Sequence, residues 1–389
     1  MDVLKAAKSY QNYNRELRRE FHRHPEVSGS EFATADRIEK ELRELGIPCD
    51  RCLKNGVAGI IKGEGPGRTL ALRADIDALA VCEDTGLPYA SENEGVMHAC
   101  GHDGHISSLL TASRILKETP GWSGTVKLLF QPNEEKAPSG AQAFIDAGVM
   151  DGVDGVMGLH LWNDIEVGKI SVESGVRMAT SARVKIHVIG KGGHGAMPQS
   201  GVDAVLAASA LVMNLQGMIT REFNALDPVI LSIGLFHAGT EFNVLAQDAW
   251  LEGTVKFFNA ELIPALNEAI TRVAVETART YRAAAEVEFI PGSGNPIVNH
   301  PVMSAVAEKS VTKLFGEQAL IRFEKITPSD DFSRLSSLVP GLYAFVGTKN
   351  TEKKEYYPHH HARFDIDEDA LVYAAGLYAQ FALDYLGKE

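Results

Sequence analysis

The first half of the chain alternates short apolar runs with amphipathic helical segments, and this alternation limits the possible folds more than any other feature. The apolar runs have the length of strands, and the segments between them place apolar side chains at helical spacing. The clearest runs are residues 125–131 and 155–160, and the clearest helical segments are residues 31–45, 102–118 and 139–147. Strands that alternate with helices predict an α/β sheet with helices on both faces.

Two further apolar runs, residues 57–63 and 69–75, lie on either side of the turn sequence GEGPGR. Apolar runs joined by a short glycine-rich and proline-containing turn are typical of a β-hairpin. We therefore predict that these two strands pair with each other.

The middle of the chain has a different order of elements. Its pattern predicts strand, helix, strand, strand, helix and strand, at residues 181–192, 201–219, 228–236, 248–258, 261–283 and 285–290. This β-α-β-β-α-β order is the ferredoxin-like pattern. We therefore predict a catalytic α/β domain in two pieces, residues 1–178 and 294–389, and an inserted ferredoxin-like α+β domain, residues 179–293.

The charge of the chain excludes two classes of partner. Its 389 residues include 38 Lys and Arg against 51 Asp and Glu, a net charge of −13. Such a protein repels phosphate backbones and anionic lipid, so we expect neither nucleic acid nor membrane as a partner. The N-terminal segment lacks a signal-peptide pattern, and four cysteines are too few for a disulfide scaffold. These features predict a cytoplasmic protein.

The nine-residue motif MHACGHDGH, residues 97–105, concentrates metal-ligating side chains. It contains Cys100 together with His98, His102 and His105. Thiolate and imidazole are the usual ligands of borderline-soft divalent metals. In extended or loop backbone, side chains two positions apart point the same way, so Cys100 and His102 could reach one ion.

Other ligand-type residues follow three of the predicted strands. Glu134 and Glu135 come after one strand, His160 ends a second, and Asp75 and Asp77 end a third. In open α/β sheets, ligands bind outside the carboxyl ends of the strands. In each acidic pair, one carboxylate can be a metal ligand while the other supports that ligand or acts as a general base.

A tract of three histidines, His359, His360 and His361, lies near the C-terminus. A short histidine tract is compositional evidence for metal binding, and one ligand from the three is sufficient.

The motifs LRADIDAL, HACGHDGH, QPNEE, GLH, GKGGHGAMP and HHHARFDIDE occur in this order along nearly the whole chain. In this set the chain resembles the N-acyl-amino-acid amidohydrolases, which include hippurate hydrolases, indole-acetyl-amino-acid hydrolases and related aminoacylase-type metallopeptidases. The resemblance implies hydrolysis of the amide bond of a small N-acyl amino acid to a carboxylic acid and an amino acid. It also implies two divalent metal ions per subunit, with manganese and zinc both expected.

The resemblance further assigns roles to individual residues. Glu134 would be the general base, and Asp77 matches a supporting acidic position. His194 and Asn243 match residues of the inserted domain that reach the substrate, where His194 would stabilise the oxyanion. The resemblance also implies a homodimer, or a higher homo-oligomer, formed through the inserted domain. The metal ligands would be Cys100, His102, Glu135, His160 and His360, with His361 as the alternative to His360.

Two other interpretations stay open from the sequence. A dipeptidase or carboxypeptidase of the same superfamily would use the same motifs, because scattered side chains form the acyl pocket. A non-catalytic, metal-dependent binding protein could keep the fold, but it would have no use for the base Glu134.

Overall fold

The computed structural model describes residues 2–292, 294–352 and 356–387. The chain divides into two compact units, the first formed by Met1–Arg177, Ile297–Glu324 and Asp330–Glu389, the second by Met178–Pro296 and Lys325–Ser329. The helices are α1 Val3–Ser9, α2 Gln11–Arg23, α3 Phe32–Glu44, α4 His102–Glu118, α5 Gly140–Asp146, α6 Ala204–Glu222, α7 Ile263–Thr280, α8 Pro301–Phe315, α9 Phe332–Ser336 and α10 Ala370–Leu386. The strands are β1 Cys49–Cys52, β2 Gly56–Lys62, β3 Thr69–Asp75, β4 Thr125–Gln131, β5 Gly155–Glu166, β6 Ile170–Ser171, β7 Gly175–Met178, β8 Thr180–Ile189, β9 Gly193–His194, β10 Val229–Ala238, β11 Val244–Leu245, β12 Asp248–Phe257, β13 Ala284–Pro291, β14 Ile297–Asn299 and β15 Gly341–Lys349.

The first unit is built on a seven-stranded sheet with the order β1-β2-β4-β3-β5-β15-β6. The central strands β4, β3, β5 and β15 run parallel to one another. Alternate residues of β5 face opposite sides: Leu159 belongs to the main apolar core, whereas Gly158 lies against Phe332 of α9. Helices therefore cover both faces, as is usual for parallel strands, and the predicted α/β class is confirmed.

The predicted hairpin between β2 and β3 is wrong. Strand β4 lies between them, antiparallel to β2 and parallel to β3. The turn that joins β2 to β3 is hydrogen-bonded to the segment before β4, through Gly63 N to Gly124 O at 2.9 Å and Thr125 N to Arg68 O at 2.9 Å. The turn thus connects two strands that both pair with β4 and not with each other.

The second unit is an antiparallel sheet with the order β10-β12-β8-β13. Helices α6 and α7 pack on one face of it, and Ile186 of β8, Leu215 of α6 and Ile270 of α7 are fully buried in a separate core. The order of elements and strands is that of a ferredoxin-like unit.

Helix α6 is the one helix among the described residues that is long and apolar enough to span a membrane. This is weak evidence by itself, because core helices of soluble proteins meet the same criteria.

The segment Lys325–Ser329 belongs to the second unit, although the sequence placed it in the catalytic domain. Ile326 forms a β-bridge with Met178 and accepts a hydrogen bond from Ala179 N at 3.0 Å. A short segment that pairs with a distant part of the chain has no hydrophobic periodicity of its own. The position of this segment in the second unit could therefore not be predicted from the sequence.

Candidate metal centre

Parallel strands bring the ligand-type residues of the first unit to one edge of its sheet. Strand β3 ends at Asp75, and the segment after β4 carries Glu134 and Glu135. The register of β3 and β5 pairs Arg73 with Gly158, two residues before Asp75 and His160. His160 lies inside β5 and not at its end, because pairing with β15 prolongs that strand to Glu166.

A left-handed turn brings Cys100 and His102 together. Gly101 has φ +86°, a conformation that glycine adopts without strain, and α4 begins directly after it at His102. The backbone here is a turn rather than extended, the second of the two conformations expected from the sequence, and the expected convergence of the two side chains is observed. Cys100 Sγ lies 3.5 Å from His160 Nε2.

Two groups of donor atoms meet at Cys100. One consists of Cys100, His102 and His160, the other of Cys100, Glu135 and His360, and within each group the donor atoms lie within 4.8 Å of one another. His102 Nε2 is buried and has no hydrogen-bond partner among the described residues. Thiolate, imidazole and carboxylate ligands suit borderline-soft divalent ions. The residues present therefore fit a pair of metal ions, which Cys100, His102, Glu135, His160 and His360 would hold.

The histidine tract contributes His360 to this centre. His360 Nε2 lies 3.2 Å from Glu135 Oε1. The ring of His359 is half-buried, and its Nε2 lies 3.0 Å from the Leu161 carbonyl oxygen. Nδ1 of His361 accepts a hydrogen bond from a backbone amide two residues further along. The geometry thus favours His360 over His361, the alternative that the sequence left open.

Asp77 supports the centre in the manner expected from the sequence motif. Its Oδ1 lies 3.1 Å from His102 Nδ1, which leaves Nε2 of that ring for a metal. Its Oδ2 accepts hydrogen bonds from Glu135 N at 2.9 Å and from the Ser28 hydroxyl at 2.7 Å. A carboxylate on the far nitrogen of a ligating histidine fixes the ring and its tautomer. Asp77 therefore orients two proposed ligands at once.

The other two histidines of the motif lie outside the two groups that share Cys100. His105 Nδ1 lies 2.5 Å from Asp75 Oδ1, and its Nε2 accepts the Leu161 amide at 2.9 Å. Both ring nitrogens of His105 are thus used within the protein. Burial lowers the pKa of His98 to about 4, so that ring is neutral at pH 7.

Carboxylates outnumber cationic side chains around the centre, and the pKa values reflect this. Burial alone lowers the pKa of His102, but Asp75 and the hydrogen bond with Asp77 raise it to about 10. Burial, followed by the charges of Asp330 and Glu135, raises the pKa of Glu134 well above its usual range. The raised pKa values of His102 and Glu134 reflect an excess of negative charge at the centre, which bound cations would neutralise.

A buried cluster next to Glu134 was not predicted from the sequence. Arg73 donates to Asp75 at 2.7 Å and to Asp331 at 3.0 Å. The carboxylate oxygens of Glu134, Asp330 and Asp331 lie within 4.8 Å of one another. A charged residue inside the apolar run LALRAD was a usable signal for Arg73. The two aspartates lie in a segment without regular pattern, and no signal pointed to them.

The second unit brings together the two residues predicted for substrate contact. His194 of β9 pairs with Val244 of β11, and Gly195 N donates to the Asn243 carbonyl at 2.8 Å. Both His194 and Asn243 are exposed. Their contact with substrate stays a prediction.

A parallel α/β sheet that presents two donor groups around one thiolate, with a further carboxylate beside them, defines a metal-dependent hydrolase. The chain belongs to peptidase family M20/M25/M40, whose family model matches residues 71–384.

Named relatives cover nearly the whole chain. It is 35% identical over 377 residues to thermostable carboxypeptidase 1 of Saccharolobus solfataricus, covering 96% of this chain and 95% of the relative. It is 38% identical over 361 residues to N-acetyl-L-cysteine deacetylase of Bacillus subtilis, covering 92% and 85%. The crystal structure of the Bacillus subtilis YxeP protein, a dinuclear metal binding peptidase from the M20 family, matches with a TM-score of 0.86 at 34% identity and covers 97% of this chain and 99% of that one.

Proposed function

We propose that this protein hydrolyses the amide bond of N-acyl amino acids and releases a carboxylic acid and an amino acid. The observation that carries this proposal is the position of Glu134, whose carboxylate oxygen lies within 4.8 Å of donor atoms of His102 and Glu135. A carboxylate beside a metal centre can act as the general base of a hydrolysis. The relative named N-acetyl-L-cysteine deacetylase supports the N-acyl amino acid as substrate.

We assign the proton transfers to Glu134. Divalent ions at such a centre supply Lewis acidity that makes water a nucleophile near neutral pH. Glu134 accepts a proton from the water while the water oxygen forms a bond to the amide carbonyl carbon. The carbon–nitrogen bond then breaks, and Glu134 returns the proton to the departing amine. Asp77 keeps His102 and Glu135 oriented through its hydrogen bonds to both.

Dipeptide or C-terminal peptide cleavage is the second candidate. The carboxypeptidase from Saccharolobus solfataricus supports it. Both reactions break an amide next to an amino acid carboxylate and need the same base, so they differ in the acyl half. A binding protein without catalysis is disfavoured, because it would have no use for Glu134.

Removal of metal tests the proposed reaction. We expect protein stripped by a chelator to lose more than about nine tenths of its activity and to regain it with Mn²⁺ or Zn²⁺, because both ions suit mixed thiolate, imidazole and carboxylate ligands. Amine release would be measured for hippurate, N-acetyl and indole-acetyl amino acids and for dipeptides. Faster cleavage of the N-acyl compounds supports the proposal, whereas preferred cleavage of dipeptides supports the peptidase alternative. Activity that survives complete metal removal contradicts both. The same assay on fractionated cells would test the predicted cytoplasmic location.

We also propose that the protein is a homodimer formed through the second unit. Strand β10 is at the edge of its sheet, and Ile230 and Leu235 on it are 44% and 49% exposed. Leu206 and Met213 of α6 are also exposed. An apolar edge strand that stays open is prone to pair with another chain, so a second copy is the occupant that we propose.

Lysine at this edge tests the dimer. We expect the double variant Ile230→Lys and Leu235→Lys to sediment as a monomer at concentrations where the wild type is a dimer, because buried unpaired charges oppose association. Val302→Lys is the control, since this residue of the first unit is 61% exposed and outside the proposed interface. A monomeric wild type, or an undisturbed dimer in the double variant, contradicts the proposed interface.

A further inference from the structure

A fully buried arginine lies behind the centre and takes no part in the mechanism described above. Arg18 is on α2, and none of its side chain is exposed. A buried guanidinium is tolerated only when its donors are matched by acceptors. The identity of those acceptors indicates what the residue does.

The first acceptor belongs to the helix that carries His102. Arg18 Nε donates to Asp103 Oδ2 at 2.7 Å, and Asp103 lies in the first turn of α4, directly after His102. His22, one helical turn beyond Arg18, lies 2.8 Å from the same carboxylate oxygen. Two side chains of α2 therefore hold the first turn of α4.

Arg18 Nη1 also donates to the Tyr89 hydroxyl at 3.1 Å. Two further acceptors belong to the segment that carries His360. Arg18 Nη2 donates to Asp365 Oδ1 at 3.3 Å, and Nη1 donates to Glu368 Oε1 at 3.3 Å. Both carboxylates lie between His360 and the start of α10. The guanidinium thus joins two segments that are more than 250 residues apart in sequence, His102–Asp103 and His360–Glu368.

The His360 segment also contacts the backbone just before Cys100. His360 N donates to the Ala99 carbonyl at 2.8 Å, beside Cys100. His360 has φ +67°, which is unfavourable for a residue with a side chain, so its loop needs support from contacts elsewhere. By contrast, His160 lies within β5, and the backbone amide of Glu135 donates to Asp77 Oδ2 at 2.9 Å. The His360 segment has neither helix nor strand over residues 356–369, so contacts such as those of Arg18 must hold it.

We propose that Arg18 is a positioning residue that aligns the His360 segment with the first turn of α4, and thereby sets the affinity of the Cys100–Glu135–His360 group for its metal ion. This inference rests on the proposed function and on the two ligand groups described for the candidate metal centre. The Cys100–His102–His160 group takes no ligand from the His360 segment, and its ligand from α4, His102, is also held by Asp77. Loss of Arg18 should therefore weaken one of two metal sites, not both equally.

Metal titration of Arg18→Lys tests this role. Lysine keeps the charge but has one nitrogen in place of three, so it cannot bind Asp103 and the His360 segment together. After chelator treatment, Mn²⁺ or Zn²⁺ would be titrated and the bound metal measured by equilibrium dialysis. We expect the first ion to bind as in the wild type and the second about 10- to 100-fold more weakly, the usual cost of losing support behind a ligand. Saturating metal should restore kcat.

Arg19→Lys is the matched control, because Arg19 also binds Glu368, at 2.5 Å, but has no contact with Asp103. We expect it to bind both ions with wild-type affinity. If Arg18→Lys does not fold, Asp365→Asn tests the contact between Arg18 and the His360 segment, since it retains Arg18 and removes one charged acceptor. In this variant we expect the second ion to bind about tenfold more weakly. Wild-type affinity for both ions in the folded Arg18 or Asp365 variant overturns the positioning role alone. A wild-type protein that binds fewer than two ions overturns the ligand set and this role with it.

Discussion

Glu134→Ala should lose about three or more decades of kcat while it keeps its metal. Glu134 lies beside the donor atoms but outside the two groups that share Cys100, so its removal leaves every proposed ligand in place. General acid and base catalysis by one side chain contributes about 10²–10⁴ in rate. This residue would act twice, on the attacking water and on the leaving amine, so we expect the upper part of that range. Kinetics on the preferred N-acyl amino acid, with metal analysis of the same sample, measures both quantities.

The control for this experiment is Glu92→Ala, a change at an exposed glutamate of the same unit. It should leave kcat and metal content unchanged. Near-wild-type turnover in Glu134→Ala would remove this residue from the mechanism. Loss of metal together with activity would instead make Glu134 a ligand, and the base would have to be sought elsewhere. The neighbouring Asp330 and Asp331 would then be the first carboxylates to test.

Cys100→Ala should have the largest effect on metal binding. Its thiolate is the donor that both groups share, so one substitution removes a ligand from each proposed metal site. Burial and the charge of Glu135 raise the pKa of the Cys100 thiol, so metal coordination is needed to keep it deprotonated. We expect metal affinity to fall by more than the ~10–100-fold that loss of an outer-shell partner costs. Metal analysis after dialysis measures this loss.

Cys82→Ala is the matched control, since Cys82 is exposed and free. It should retain the full metal content and activity. Full metal occupancy in Cys100→Ala would contradict the shared-thiolate arrangement. Loss of a single ion would show that one of the two groups binds metal without the thiolate.

The hydrophobic pattern predicted the main helices and strands between residues 31 and 290, because burial and local backbone geometry act over a few residues. Helix α4 spans His102–Glu118, the limits read from its apolar spacing, and β4 spans Thr125–Gln131 as expected. Pairing between strands was less predictable. The hairpin of β2 and β3 failed because β4, more than 50 residues later, competes for the same edge.

For the candidate metal centre, too, some features could be predicted from the sequence and others could not. The residue types and their order along the chain determined that a metal centre should exist and which side chains could form it, since thiol, imidazole and carboxylate chemistry is a property of the residues themselves. Tertiary structure decided which of them meet. It selected His360 from its tract because the rings of His359 and His361 are bonded to backbone groups. It also placed Arg18 behind the centre, since contacts between remote segments depend on how the whole chain packs and not on any local pattern.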